Sequence, residues 1–111
     1  MRLLVIDTAT QALSVALLEN GAPIGRHHEI VGRGHAEALL PAIAALPDGG
    51  RADAIAVDVG PGSFTGVRIG IAAARALALA WQLPLSGYSA PSMIAASAAR
   101  RIGASDVSVT W

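Results

Sequence analysis

Cysteine is missing from this chain of 111 residues, so neither a disulfide framework nor thiolate chemistry is open to it. Lysine is missing too. The eight cations are all arginine, and they balance eight acids to a formal net charge of zero, which leaves no general electrostatic pull toward nucleic acid. No run is long enough to span a bilayer: the longest apolar stretch, Ile69 to Trp81, contains Arg75. Leu3-Leu4-Val5-Ile6 is too short for a secretory signal, and Asp7 interrupts it at once. No internal repeat or low-complexity linker is visible, and the length suits one small core. A reducing cytoplasm is compatible with these absences, and a cytoplasmic location is the expectation. What is plentiful is apolar: 53% of residues, much of it alanine, with mean hydropathy +0.53. Some of that surface is expected to meet a partner.

The chain is organised around Gly60-Pro61-Gly62-Ser63-Phe64-Thr65-Gly66-Val67-Arg68-Ile69-Gly70. Ala54 to Val59 before it reads as a strand buried on both faces, and the residues after it as a helix to about Gln82. Ser63 or Thr65 can cap that helix. Two readings of the loop compete. In one, the bare amides at Gly60, Gly62, Ser63 and Thr65, with Asp7 and Thr8 nearby, cradle a nucleotide phosphate. The pattern is neither a P-loop nor a full G-x-G-x-x-G, and no lysine stands by to neutralise an anion. In the other, favoured here, Gly62, Gly66 and Gly70, continued by Ala74 and Ala78, form a ridge of small residues for close packing.

From the start, Arg2–Thr8, Ala12–Leu18 and Pro23–Ile30 are predicted strands of an antiparallel meander. Glu19-Asn20-Gly21 supplies a type I′ hairpin turn between the second and third. Asp7, Thr8 and Thr10 sit where the first strand turns into the second; an acid there suits a hydrated Mg²⁺, or it satisfies turn amides. A helix is predicted over His35–Leu46, apolar on the face of Ala36, Leu39, Leu40, Ile43 and Leu46, with Pro41 inside it. His27, His28 and His35 have no metal-ligand spacing and are expected to be solvated surface residues. Pro84–Tyr88 reads as a parallel strand, Ala90–Arg101 as a helix, and Asp106–Trp111 as the start of a further strand. The order is βββαβαβα, a mixed sheet flanked by helices.

Three stretches carry a resemblance: Met1-Arg2-Leu3-Leu4-Val5-Ile6-Asp7-Thr8-Ala9-Thr10, His35-Ala36-Glu37-Ala38-Leu39-Leu40-Pro41, and Val59 to Gly70 followed by Ala76-Leu77-Ala78. Together they resemble the TsaB (YeaZ) family, partner proteins in the synthesis of threonylcarbamoyladenosine at position 37 of tRNA. The resemblance implies the ribonuclease H-like subdomain of the actin/Hsp70/sugar-kinase (ASKHA) fold over residues 1–105. It also implies that residues 106–111 begin a second, related subdomain, since the family is about twice this length.

The family's catalytic sister carries Gly-x-x-His-x-x-x-His in the register where this chain has Gly87-Tyr88-Ser89-Ala90-Pro91-Ser92-Met93-Ile94. Ala90 and Ile94 cannot ligate a metal. The resemblance therefore implies a non-catalytic scaffold that activates the threonylcarbamoyl transferase subunit. No cofactor or metal is expected in this chain, with ATP and metal expected in the catalytic partner. The implied partners are a TsaD-like transferase and a TsaE-like ATPase, with a homodimer when the protein is alone. Neither direct tRNA binding nor membrane association is expected. The expected partner surface is Leu39, Leu40 and Ile43 of the first helix beside Gly62, Gly66, Gly70 and Ala74 of the second. A glycoprotease-type metallopeptidase and a nucleotide-binding ATPase are the alternatives, weakened by the absent histidines and the absent lysine.

Overall fold

The computed structural model describes residues 1–32, 34–62 and 64–89. Three strands, β1 (Arg2–Asp7), β2 (Ala12–Glu19) and β3 (Ala22–Ile30), form the antiparallel meander, and Asn20 and Gly21 turn β2 into β3 with φ of 52° and 84°. Such positive φ values are what Asn-Gly tolerates best. β4 (Ala54–Asp58) lies parallel to β1, and β5 (Leu85–Tyr88) parallel to β4, giving a mixed five-stranded sheet of order β3-β2-β1-β4-β5. The predicted helix over Ala90–Arg101 and strand over Asp106–Trp111 lie outside the described residues.

Alternation along the strands decides which face is covered. Leu4 and Ile6 of β1, Leu13, Val15 and Leu17 of β2, and Ile55 and Val57 of β4 are buried together. Both helices, α1 (His35–Ala44) and α2 (Phe64–Trp81), supply that core, through Leu39, Ala42 and Ile43 of α1 and Ala74 and Ala78 of α2. α1 runs through Pro41 as one element but ends earlier than predicted. Leu46 is extended, at φ −69° and ψ 160°, because it precedes Pro47, whose ring disfavours the helical region for its neighbour. A short 3₁₀ turn, Pro47–Gly50, follows. α2 extends beyond the predicted apolar stretch and reaches a length and hydropathy compatible with a membrane span, yet one side of it is packed on the sheet.

At the far end of the sheet Arg2 is a hub. Its guanidinium donates to Glu19 (3.3 Å) and Asp48 (2.5 Å), and its backbone N–H donates to Asp53 (2.7 Å). Asp48 and Glu19 raise the guanidinium pKa above its ordinary value.

Candidate functional site

The other end of the sheet, where β1 and β4 finish side by side, gathers the polar groups. Asp7 and Asp58 terminate neighbouring parallel strands, since Ile6 pairs with Val57 one residue earlier. Each carboxylate closes its own turn: Asp7 Oδ1 accepts from the N–H of Ala9 (3.0 Å), and Asp58 Oδ1 from the N–H of Gly60 (2.8 Å). Tyr88, paired with Asp58 across β4 and β5, lies on the same face, and its hydroxyl donates to the carbonyl of Ile6 (3.4 Å). Asp58 and Tyr88 are buried. Burial pushes the Asp58 carboxyl above the usual carboxylate range, against the Gly60 amide, and the charge and hydrogen bond of Asp7 push it further. Burial, with the two carboxylates, likewise pushes the Tyr88 phenol above its ordinary range.

The glycine loop meets the β1–β2 hairpin directly. Gly60 has φ 106°, a conformation that favours glycine, and its bond to Pro61 is cis. A Cβ on Gly62 would collide with the carbonyl oxygen of Ala9 and sit 2.8 Å from the Ala9 methyl. Asp7, Thr8, Gly60 and Gly62 are thus brought together, as the phosphate reading requires, but their groups are engaged with one another. The Gly60 amide serves Asp58, and the buried Thr8 hydroxyl donates to the carbonyl of Gly66 (2.6 Å). Thr65 is exposed, and Ser63 lies outside the described residues.

The small-residue ridge faces inward. Gly66, Gly70, Ala74 and Ala78 are the buried residues of α2, and a Cβ on Gly70 would strike Thr8 Oγ1 and reach Val57 Cγ2 at 3.4 Å and Ile6 Cγ2 at 3.7 Å. This corrects the expected partner surface. Gly66, Gly70 and Ala74 are spent on close approach to the sheet, and Leu39 and Ile43 are core residues; only Leu40 (54% exposed) and Gly62 remain outward. The outward side of α2 carries larger groups instead: Phe64 at 74% and Leu79 at 82% exposure, with the Arg68 guanidinium over the Phe64 ring at 5.1 Å. Phe64, Thr65, Arg68, Ile69 and Ala72 line a shallow hollow there.

His35 is a second correction. It is buried rather than solvated, because as the first residue of α1 it lies over the β1–β2 hairpin. Its Nε2 donates to the carbonyl of Thr10 (2.7 Å), with that of Ala12 at 3.3 Å. Two carbonyls can only accept, so Nε2 carries a proton. Asp58 and Tyr88 escaped the sequence reading; the available signal was that two separate apolar strands, β1 and β4, each end in aspartate followed by a turn.

A mixed sheet of this order, with two helices on one face and an acid closing each of its central parallel strands, defines a ribonuclease H-like α/β protein. RuvC from Thermus thermophilus, solved with a Holliday junction substrate, shares that fold at TM-score 0.63 and 16% identity, over 91% of this chain and 72% of that one. The family model described as TsaD, tRNA N6-adenosine threonylcarbamoyltransferase, matches residues 19–106. The Escherichia coli K12 protein named tRNA threonylcarbamoyladenosine biosynthesis protein TsaB is 45% identical over 112 residues, which cover 96% of this chain and 48% of that protein. The structure of YeaZ from Pseudomonas aeruginosa matches at TM-score 0.76 and 43% identity, over 92% of this chain and 50% of that one. The chain belongs to the TsaB (YeaZ) family within the group that this model describes. It spans about half the length of the curated relatives it matches.

Proposed function

We propose that this chain acts in tRNA threonylcarbamoyladenosine biosynthesis as a non-catalytic partner that docks on and activates a TsaD-like threonylcarbamoyl transferase subunit. The observation that carries the reading is the outward face of α2, where Phe64, Ala72 and Leu79 are exposed beside Arg68; Leu40 of α1 is a further exposed apolar side chain. A sheet needs only one face of α2, and the small residues already supply it. An exposed apolar face of this kind is suited to helix-on-helix association. Ala90 and Ile94 support the non-catalytic half, standing where the transferase has metal-binding histidines. In this reading the sheet is one subdomain of the actin-like (ASKHA) arrangement. The same helix face joins two copies when the transferase is lacking, a TsaE-like ATPase completes the assembly, tRNA is held by partners rather than by this chain, and the work is done in the cytoplasm without a resident cofactor.

The test is size-exclusion chromatography and titration of the chain with a TsaD-like subunit, comparing wild type with the paired substitution Phe64→Glu and Leu79→Asp. Both positions are solvent-facing, so the fold is expected to survive with stability changed by no more than about 0.5 kcal/mol each. Association is expected to weaken at least about tenfold, equivalent to ~1.4 kcal/mol. Unchanged affinity in a folded double variant would place the docking surface elsewhere.

A further inference from the structure

Asn20 is the chain's only asparagine, and a glycine follows it. The pair forms the exposed turn between β2 and β3, both residues in the left-handed region at φ 52° and 84°. Its contacts run back to the first residue: the Met1 ammonium donates to Asn20 Oδ1 (2.7 Å), and the Asn20 N–H donates to the Met1 carbonyl (2.9 Å). A hollow lined by Met1, Leu3, Leu18, Asn20 and Gly21 lies against the turn, and nothing stands within 4 Å of where a Gly21 Cβ would be. A carboxamide is thus followed by a backbone nitrogen with no side chain to shield it, the setting in which asparagine is thermolabile.

We propose that Asn20-Gly21 is a self-modification site whose reaction the closed turn holds off. The Gly21 N–H gives its proton to a solvent base, and the nitrogen's electron pair forms a bond to Asn20 Cγ. The carboxamide nitrogen leaves, takes up a proton and departs as ammonia, closing a succinimide ring. Water then opens the ring. Addition at Cγ gives aspartate, and addition at the main-chain carbonyl breaks its bond to the Gly21 nitrogen and gives isoaspartate. One water enters and one ammonia leaves, with no change of oxidation state.

The closed turn opposes the first bond. In the left-handed region ψ is about +47°, which sets the Gly21 nitrogen roughly opposite Asn20 Cβ about the Cα–C bond. Ring closure needs them on the same side. Asn20 must therefore leave its turn conformation, against both hydrogen bonds to Met1. A second exposed pair, Asp48-Gly49, has the same backbone, at φ 54° and 67°, but its carboxylate is paired with the Arg2 guanidinium. An ionised carboxylate is a poor electrophile with no ammonia to expel, so this pair stays unmodified on the same timescale. Isoaspartate at position 20 would carry the main chain through Cβ and Cγ, one atom longer. The β2–β3 ladder begins next to it, at Glu19 and Ala22, and β2 is the only neighbour of the edge strand β3. The product is the class of substrate taken by enzymes that methylate isoaspartyl carboxyl groups.

The experiment incubates the whole chain at neutral pH, folded in buffer and unfolded in concentrated urea, and follows the intact mass, peptide maps and methyl transfer by an isoaspartyl-specific methyltransferase. The urea sample is expected to gain the mass of OH in place of NH₂ at Asn20, with isoaspartate at position 20 and none at 48. The folded chain is expected to convert at least about tenfold more slowly, since only its opened fraction reacts. A folded chain that shows no gain over the same period supports the hold more strongly still. In urea, where the fold plays no part, Gly21→Ala should slow the gain severalfold because its methyl hinders the nitrogen. Equal rates in buffer and urea overturn the hold. No gain at Asn20 in urea, a gain that maps to Gln11 or Gln82, or a Gly21→Ala chain that converts as fast as wild type overturns the site.

Discussion

Replacing Gly70 with alanine sets two effects of opposite sign against each other. In an exposed helix the change would stabilise by about 0.5–1 kcal/mol, since glycine is the poorer helix former. Here the new methyl would strike Thr8 Oγ1, with Val57 and Ile6 side chains close behind it. Thr8 is fully buried, and its hydroxyl is held by the carbonyl of Gly66 at 2.6 Å. It can move aside only by giving up that bond, which costs about 1–3 kcal/mol for a buried polar group left unsatisfied. If it stays, overpacking of the core costs about 1–3 kcal/mol. The net expectation is a loss of roughly 1–2 kcal/mol, a fall in unfolding midpoint of several degrees. Circular dichroism melts and urea titrations of Gly70→Ala, Thr8→Ala and the double variant form a complete cycle. Removing the Thr8 side chain clears the space, so the double variant is expected to be more stable than the sum of the two single changes by about 1 kcal/mol or more. A Gly70→Ala chain as stable as wild type, with additive energies in the cycle, would refute the close contact on which the orientation of α2 rests.

Substituting His35 with alanine should destabilise the chain by about 1–3 kcal/mol, read in the same denaturant titrations, because the Thr10 carbonyl loses its buried donor; a loss below about 0.5 kcal/mol would count against that bond. ATP should bind this chain no more tightly than about 1 μM, roughly −8 kcal/mol. Calorimetry giving a lower dissociation constant would restore the phosphate reading, which the engagement of Gly60 with Asp58 and of Thr8 with Gly66 argues against.

The strands were legible because period-two alternation and Asn20-Gly21 are local signals, and the glycine loop because glycine and proline punctuate any fold. The orientation of α2 was not. The helix has one stripe of small residues and another in which large apolar residues alternate with Arg68 and Arg75, so hydrophobicity alone is a weak guide to which meets the sheet. The choice is made by Thr8, Ile6 and Val57, which come close enough that only a glycine fits at position 70. The site at the strand ends was half legible for a related reason. Asp7 is a local feature of one turn, whereas its neighbour Asp58 is brought beside it by the parallel register of β1 and β4. His35 was misread because its partner carbonyls lie in the β1–β2 hairpin, far back in the chain. The end of α1 was legible in principle, since Leu46 precedes a proline.

The placement of β1 between an early neighbour and a late one imposes an order of events on a growing polypeptide. β2 follows β1 through a short hairpin, whereas β4, its partner on the other edge, is reached only after β3, α1 and the 3₁₀ turn. At roughly 5–20 residues per second, the ribosome needs on the order of 2–10 s to deliver it. For that interval the meander carries Leu4 and Ile6 on an open edge, the kind of surface that pairs with other nascent chains. Arg2 stands at the head of that edge. Its contact with Glu19 lies within the meander and is available from the outset, while Asp48 and Asp53 are synthesised later. Until they arrive, the guanidinium keeps a charge at the start of an unpaired hydrophobic strand, where it can act as a gatekeeper during synthesis before it becomes a clasp in the finished fold.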